Sequence, residues 1–237
     1  MKLCIVSNYF HPSIGGIERY LKDLTNKLVE QNIETHVVTA SFDGQERIEK
    51  KGSMTIYRIP FLNSFDKEKI EENSKKFLKF MDNLIKKHKI NLISAQNFHR
   101  VSDTPSFALA LNLVSMNLNV PLTLRVHSFS TKELDDCFLR DMMWDKIICV
   151  SNSVKEDAYS KKIKIDKLVT VYPGVDIEKF YPNRNNVLRK AIKVGNDEIL
   201  ILWAGRICNQ EKPILDEKGL ITLLKSLSIL APRYKNL

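Results

Sequence analysis

The sequence predicts a doubly wound parallel α/β sheet, followed by the opening of a second unit of the same kind. Three observations lead there. Short continuous apolar runs alternate with amphipathic stretches along most of the chain, as expected for buried parallel strands joined by covering helices. One device occurs twice: an apolar run, a glycine-bearing loop and a helix-periodic stretch, first at Leu3–Val6, Gly15-Gly16 and 17–28, then at 199–206, Lys218-Gly219 and 220–230. Between the two lies a polar, irregular stretch, 176–195, that reads as a linker.

Each element has a local cause. The run 3–7 is apolar throughout and suits a central strand, and Ile17, Leu21, Leu24 and Leu28 recur at helical spacing. Residues 35–40 read as the next strand. Residues 54–59 alternate as a strand nearer an edge, and Pro60 ends it. In 66–89, Ile70, Phe77, Leu78, Met81, Leu84 and Ile85 share one helical face, with Lys75, Lys76, Lys79, Lys86 and Lys87 elsewhere on the cylinder. That pattern describes a sheet-covering helix with its lysines in water; the competing reading is a helix lying on a membrane surface. Strands follow at 92–95, 121–126, 146–150 and 168–172. Helices lie between them at 105–116, with Pro105 near its start, at 131–143, and at 154–160 after the Ser151-Asn152-Ser153 cap cluster. A short helix is expected at 187–194. The expected domains are residues 1–183, a linker at 184–197, and 198–237 as the start of a second domain.

Composition narrows the function. The chain has 237 residues, 37 basic against 28 acidic, for a net charge of +9. That balance favours anionic partners, phosphorylated small molecules among them. Nucleic acid is not expected, because no recognised motif and no basic–aromatic interleaving is present. No apolar window approaches the ~20 residues of a membrane span. Any membrane contact would be peripheral, and the apolar start at Leu3 is too short for a signal-peptide core. The four cysteines, Cys4, Cys137, Cys149 and Cys208, form no C-x-x-C pair, and no Cys/His grouping has zinc spacing. Cys4 and Cys149 read as small hydrophobes inside strands, which suits a reducing, cytoplasmic compartment.

Ligands of such sheets bind at the carboxyl ends of strands, so the loops there carry the candidates. Gly15-Gly16 opens a helix, where backbone N–H groups and the helix dipole meet anions, although the pattern is not G-x-G-x-x-G. A plain turn is the competing reading. His127 follows a strand directly and suits hydrogen bonding to a hydroxyl; the alternative is a loop histidine bonded locally. Arg206 after Ala204-Gly205, and Lys218 before Gly219, suit a diphosphate, with surface cations as the alternative. Tyr172-Pro173-Gly174-Val175-Asp176 reads as an interdomain turn.

Taken together these residues resemble glycosyltransferase family 4, retaining enzymes of the GT-B fold. Pro12-Ser13-Ile14-Gly15-Gly16-Ile17-Glu18 is similar to the family's P-x-x-G-G-x-E loop. Val126-His127 is similar to its strand end bearing a catalytic histidine. Tyr172–Asp176 with Phe180 and Pro182 is similar to x-N-G-V-D-x-x-x-F-x-P, with Pro173 in place of the usual asparagine. Ala204-Gly205-Arg206 through Lys218-Gly219-Leu220 is similar to the family's donor diphosphate clamp. The twelve-residue step from Arg206 to Lys218 is longer than usual and leaves Lys212 as a rival clamp. The resemblance implies transfer of a sugar from a nucleotide-diphosphate sugar to a sugar or lipid-linked acceptor, with retention. His127 would be catalytic. Gly15, Gly16, Arg206 and Lys218 would hold the donor diphosphate, and Asn97 and His99 would lie on the acceptor side. It implies no metal or other cofactor, and a place in the cytoplasm or at the inner face of the membrane. Most of the family's donor domain has no counterpart here, so the expectation is a truncated chain, inactive alone. The alternative is an acceptor-binding module served by a separate donor-binding chain.

Overall fold

The computed structural model describes residues 1–42, 44–63, 67–99, 105–129, 133–182, 187–195, 197–205 and 218–234. They divide into two compact units, Met1–Gly174 and Val175–Leu237. The division falls inside the Tyr172–Asp176 turn.

The first unit is an α/β domain on one eight-stranded sheet. In chain order it contains β1 (Lys2–Ser7), α1 (Gly16–Glu30), β2 (Glu34–Ala40), β3 (Ile48–Lys51), β4 (Met54–Ile59), α2 (Ile70–His88), β5 (Leu92–Gln96) and α3 (Pro105–Leu118). It continues with β6 (Leu122–Val126), α4 (Glu133–Asp141), β7 (Lys146–Cys149), α5 (Asn152–Ser160) and β8 (Leu168–Thr170). The strand order is β3-β4-β2-β1-β5-β6-β7-β8, parallel except for the β3–β4 pair.

That order determines where a ligand sits. After β1 the chain moves outward to β2 and β4, then crosses back over β1 to β5 and proceeds the other way. Right-handed crossovers place helices on opposite faces for the two directions. In sheets of this order the loops leaving the two switch strands, here β1 and β5, diverge, and ligands bind between their carboxyl ends.

Two apolar clusters hold the layers together. Ile5, Val37 and Ile56 pack with Leu21 of α1 on one face. On the other, Cys4, Val38, Ile93, Leu124 and Cys149 meet Phe77, Met81, Leu84 and Ile85 of α2 and Leu111 and Val114 of α3. Alternate residues of one strand serve opposite faces, as the period of two requires. Cys4 and Cys149 are buried free thiols, and burial pushes the Cys4 thiol up to about 12, so it stays protonated. The α2 lysines stand in water. Lys75 pairs with Glu71 at 2.6 Å, Lys76 with Glu72 at 2.5 Å and Lys86 with Asp82 at 2.8 Å, each one turn away. Among the described residues no helix is long and apolar enough to cross a membrane.

Two features differ from expectation. β3 was not expected. Its residues Ile-Glu-Lys-Lys are mostly exposed and carry no apolar alternation, and it forms through the tight turn at Gly52, φ +59°, back onto β4. Conversely, the expected strand at 199–206 forms no ladder over its described residues, Ile199–Gly205. A parallel strand needs neighbours for its N–H and C=O groups. The described residues of the second unit offer only the helices α6 (Val187–Ala191) and α7 (Leu220–Leu230). Ile199, Leu200, Ile201 and Leu202 are all exposed, Leu202 by 82%.

Candidate functional site

At the switch between β1 and β5, three chain segments converge. The first is the loop after β1. The His11-Pro12 peptide is cis, and Ser13 N–H donates to the Phe10 carbonyl at 3.1 Å. Arg58, buried at the end of β4, donates to the His11 carbonyl at 3.3 Å and pairs with Glu49 at 2.9 Å, which holds the loop to the sheet. Gly15 occupies the N-cap of α1 in extended backbone without a side-chain cap. A Cβ there would lie 2.2 Å from the Glu18 carboxylate, whereas a Cβ on Gly16 would meet nothing within 4 Å. The helix start is thus open at Gly16, while Glu18 folds toward Gly15. An incoming anion would have to displace that carboxylate.

The second segment follows β5. Asn97 takes the left-handed conformation, φ +52°, which an Asn tolerates better than most residues. Its N–H donates to the Arg125 carbonyl at 2.9 Å, and its side-chain Oδ1 accepts from the His127 N–H at 2.8 Å. One residue therefore fastens the ends of β5 and β6 together.

The third segment is the end of β6 itself. His127 Nε2 lies 3.1 Å from Gln96 Oε1, and Gln96 Nε2 donates to Ser94 Oγ at 3.1 Å. With the Gln96 amide oriented that way, Oε1 accepts, so His127 carries its proton on Nε2 and keeps the Nδ1 lone pair. The ring meets Tyr20 edge-on, centroids 5.3 Å apart, and Tyr20 stands one turn along α1 from Gly16. Beneath Tyr20 lies Arg125, buried, its guanidinium carbon 4.4 Å from the ring centroid and one Nη donating to the Val171 carbonyl at 2.7 Å. Burial, and then the Arg125 charge, push the His127 imidazole down to about 4. It is neutral near pH 7 and can accept a hydroxyl hydrogen bond at Nδ1 without charging.

Asn97 and His127 are thus fastened together, and Tyr20 sets the first turn of α1, which Gly15-Gly16 opens, against His127. His99 lies apart from them: it is 1% exposed, with its ring against Phe129 at 6.1 Å. The position after a strand suggested a loop facing ligand, but Phe98 and His99 turn into the core instead. Arg206 and the rival Lys212 lie outside the described residues. Lys218 is exposed in the second unit, before Gly219, which caps α7 at φ +71°. Its carbonyl accepts from Trp203 Nε1 at 2.9 Å, and the Trp203 ring occupies the space a Cβ on Gly205 would need, 2.3 Å away.

Gln96, Arg125 and Tyr20 escaped the sequence reading. Arg125 left a signal: a charge inside the apolar run 121–126, which has to be paired or functional if the run is buried. Tyr20 and Gln96 left none, since only the fold brings them to His127.

A doubly wound parallel sheet with a glycine-opened helix and a half-buried histidine at its switch point places the first unit in the Rossmann-like α/β class. Comparison narrows it: the model of Glycosyltransferase Family 4 matches residues 14–179, and the chain belongs to that family. A curated relative is the phosphatidylinositol N-acetylglucosaminyltransferase GPI3 subunit of Saccharomyces cerevisiae (strain ATCC 204508 / S288c), 20% identical over 213 residues, 86% of this chain and 46% of the relative. Another, from Homo sapiens, is likewise one subunit of a phosphatidylinositol N-acetylglucosaminyltransferase, 24% identical over 189 residues, 76% of this chain and 38% of the relative. The chain therefore spans less than half the length of these relatives. Among solved structures, a glycosyltransferase from Rickettsia africae ESF-5 superimposes with TM-score 0.65 at 19% identity, covering 97% of this chain and 57% of that one. Anabaena Alr3699/HepE in complex with UDP gives 0.56 at 13% identity, covering 98% and 66%. At these identities the structures establish the fold, that of GT-B glycosyltransferases with Rossmann-like domains.

Proposed function

We propose that this chain is the acceptor-side domain, with the opening of a donor-binding domain, of a retaining glycosyltransferase that moves a sugar from a nucleotide-diphosphate sugar to an acceptor. The observation that carries the reading is the convergence of the open Gly16 helix start, Asn97 and neutral His127 at the β1/β5 switch. His127 Nδ1 would accept from a hydroxyl of the transferred sugar or the acceptor, held in orientation by Gln96 and by Asn97. The Gly15-Gly16 backbone would approach the phosphates or the acceptor without a Cβ between. Arg206 and Lys218 would neutralise the diphosphate as it leaves, the point at which charge grows and such groups act most strongly. No metal or other cofactor is proposed for the transfer. The acceptor class is a sugar or a lipid-linked acceptor presented at a membrane face, met peripherally from the cytoplasmic side. The names of the yeast and human relatives support a lipid-linked acceptor.

A second reading has its own support. Ile199–Leu202 form no ladder and are exposed, so the second unit lacks the sheet that would complete a donor site among its described residues. On that reading these 237 residues bind acceptor, and turnover requires a further donor-binding polypeptide.

Calorimetric titration of the 237-residue chain with UDP-glucose and GDP-mannose tests the proposal. The donor reading predicts binding of one of them, weakened roughly tenfold by His127→Ala through loss of one hydrogen bond worth about 1.4 kcal/mol. Binding unchanged by His127→Ala would contradict the role of His127. No binding of either would contradict a donor site in this chain and favour the second reading. On either reading the isolated chain is expected to show no sugar transfer, and measured turnover would overturn that.

A further inference from the structure

At the opposite end of the sheet from the switch crevice, the fold gathers a second set of chemical groups. Glu34 and His36 stand two apart on β2 and so share a face. His88 is the last residue of α2, which covers that face, and the terminal carbonyls there carry partial negative charge. One ligand-type atom from each of the three residues lies within 4.8 Å of the others. His36 Nε2 is 3.1 Å from Glu34 Oε1, and the two imidazole centroids are 4.4 Å apart. Tyr57 of β4 reaches both histidines, its hydroxyl 3.3 Å from His36 Nδ1 and 3.4 Å from His88 Nε2.

We propose that Glu34, His36 and His88 form a binding site for a divalent transition metal of the zinc class, remote from the sugar site.

The donor set is chemically apt: two imidazoles and one carboxylate suit zinc, leaving a fourth position for water. Bond lengths of about 2.0–2.2 Å in a tetrahedron separate ligand atoms by about 3.4 Å. The His36–Glu34 pair already stands near that spacing, and His88 needs a small approach. In the metal-free state His36 Nε2–H donates to Glu34 Oε1; on binding, the ring would take its Nδ1–H tautomer, the proton exchanging through solvent, and Nε2 would offer its lone pair to the ion. Lys2 Nζ holds Glu34 by its other oxygen, Oε2, at 2.9 Å, and thus competes for the carboxylate without occupying the ligand atom. Tyr57 would then accept from His36 Nδ1–H and orient the ring, the outer-shell role that metal-bound histidines use. Linear spacing could not reveal the site, because His88 reaches β2 only through the crossover of α2. Binding would tie the end of α2 to β2 and stabilise the first unit by mass action.

Calorimetric titration of the metal-stripped 237-residue chain with Zn²⁺ alone, and with Mg²⁺ as comparison, tests this. The expected result is one Zn²⁺ per chain, no Mg²⁺ binding, and a raised melting temperature with Zn²⁺. Affinity should fall roughly a hundredfold in Glu34→Gln and in His88→Gln, and roughly tenfold in Tyr57→Phe. His88 and Glu34 are only partly buried, so these variants are expected to keep the fold, with circular dichroism as the check. Absence of stoichiometric zinc overturns the proposal. So does zinc binding that survives both Glu34→Gln and His88→Gln, or that disappears on replacing Cys137 instead.

Discussion

Phe77→Ala is expected to destabilise the first unit by about 3–5 kcal/mol, the range for emptying a fully enclosed aromatic site. Phe77 is 0% exposed on α2. Its ring meets Phe107 of α3 edge-on at 5.3 Å and Phe98 at 6.5 Å. Two segments, α3 and the loop after β5, thus lean on one side chain of α2, and neither can collapse into the void without moving a helix. The loss also reaches the site, since Phe98 adjoins Asn97, which fastens β5 to β6. Thermal denaturation should show the midpoint of the first unit lowered by roughly 10 °C. Leu109→Ala on the same α3 is the contrast. Leu109 is 52% exposed, so its truncation should cost only about 0.5 kcal/mol. Equal effects from the two substitutions would contradict the layer packing described above.

Acidification is expected to erode stability between pH about 6.5 and about 4, with His127 as a principal cause. The direction follows from linkage. His127 titrates near 4 in the folded chain, against 6.5 for an ordinary histidine. Above pH 6.5 it is neutral folded and unfolded, and contributes no pH dependence. Between the two values the unfolded chain takes up the proton while the folded chain does not, so stability falls as pH falls. Below about 4 both states are charged and the dependence ends. The full displacement corresponds to at most about 3 kcal/mol. His11 and His88 are also pushed downward, by burial first, and act in the same direction. Urea denaturation at several pH values should therefore show the slope reduced, not abolished, in His127→Gln. An unchanged slope in that variant would mean that the ring is not held neutral.

The strand–helix alternation was legible because each β strand of the first sheet except β3 is an apolar run with its own flanking turn. β3 was hidden by its composition, Ile-Glu-Lys-Lys, and exists through pairing with β4. The run 199–205 shows the converse. Its apolar residues read as a strand, but a ladder is a property of neighbours, and those residues have none among the ones described. The site divides in the same way. Gly15, Gly16, Asn97 and His127 follow strands in a doubly wound sheet, so topology alone places them together. Tyr20, Gln96 and Arg125 set the tautomer and protonation of His127, and only contact geometry identifies them. His99 shared the position of Asn97 in the loop after β5 but turned inward, which residue type and spacing do not encode. Glu34, His36 and His88 met through a crossover, beyond any linear pattern.

The functional reading stands on His127 as a neutral, sugar-facing hydrogen-bond acceptor at the switch crevice. Nitrogen-15 NMR of the histidine rings, recorded against pH and then during titration with a nucleotide sugar, probes that role without intermediaries. The expected spectrum shows a His127 ring protonated on Nε2 alone at neutral pH, titrating near 4, with an Nδ1 resonance that moves as the sugar binds. A ring that titrates near 6.5, the ordinary histidine value, or an Nδ1 unmoved while the chain binds nucleotide sugar, would contradict it.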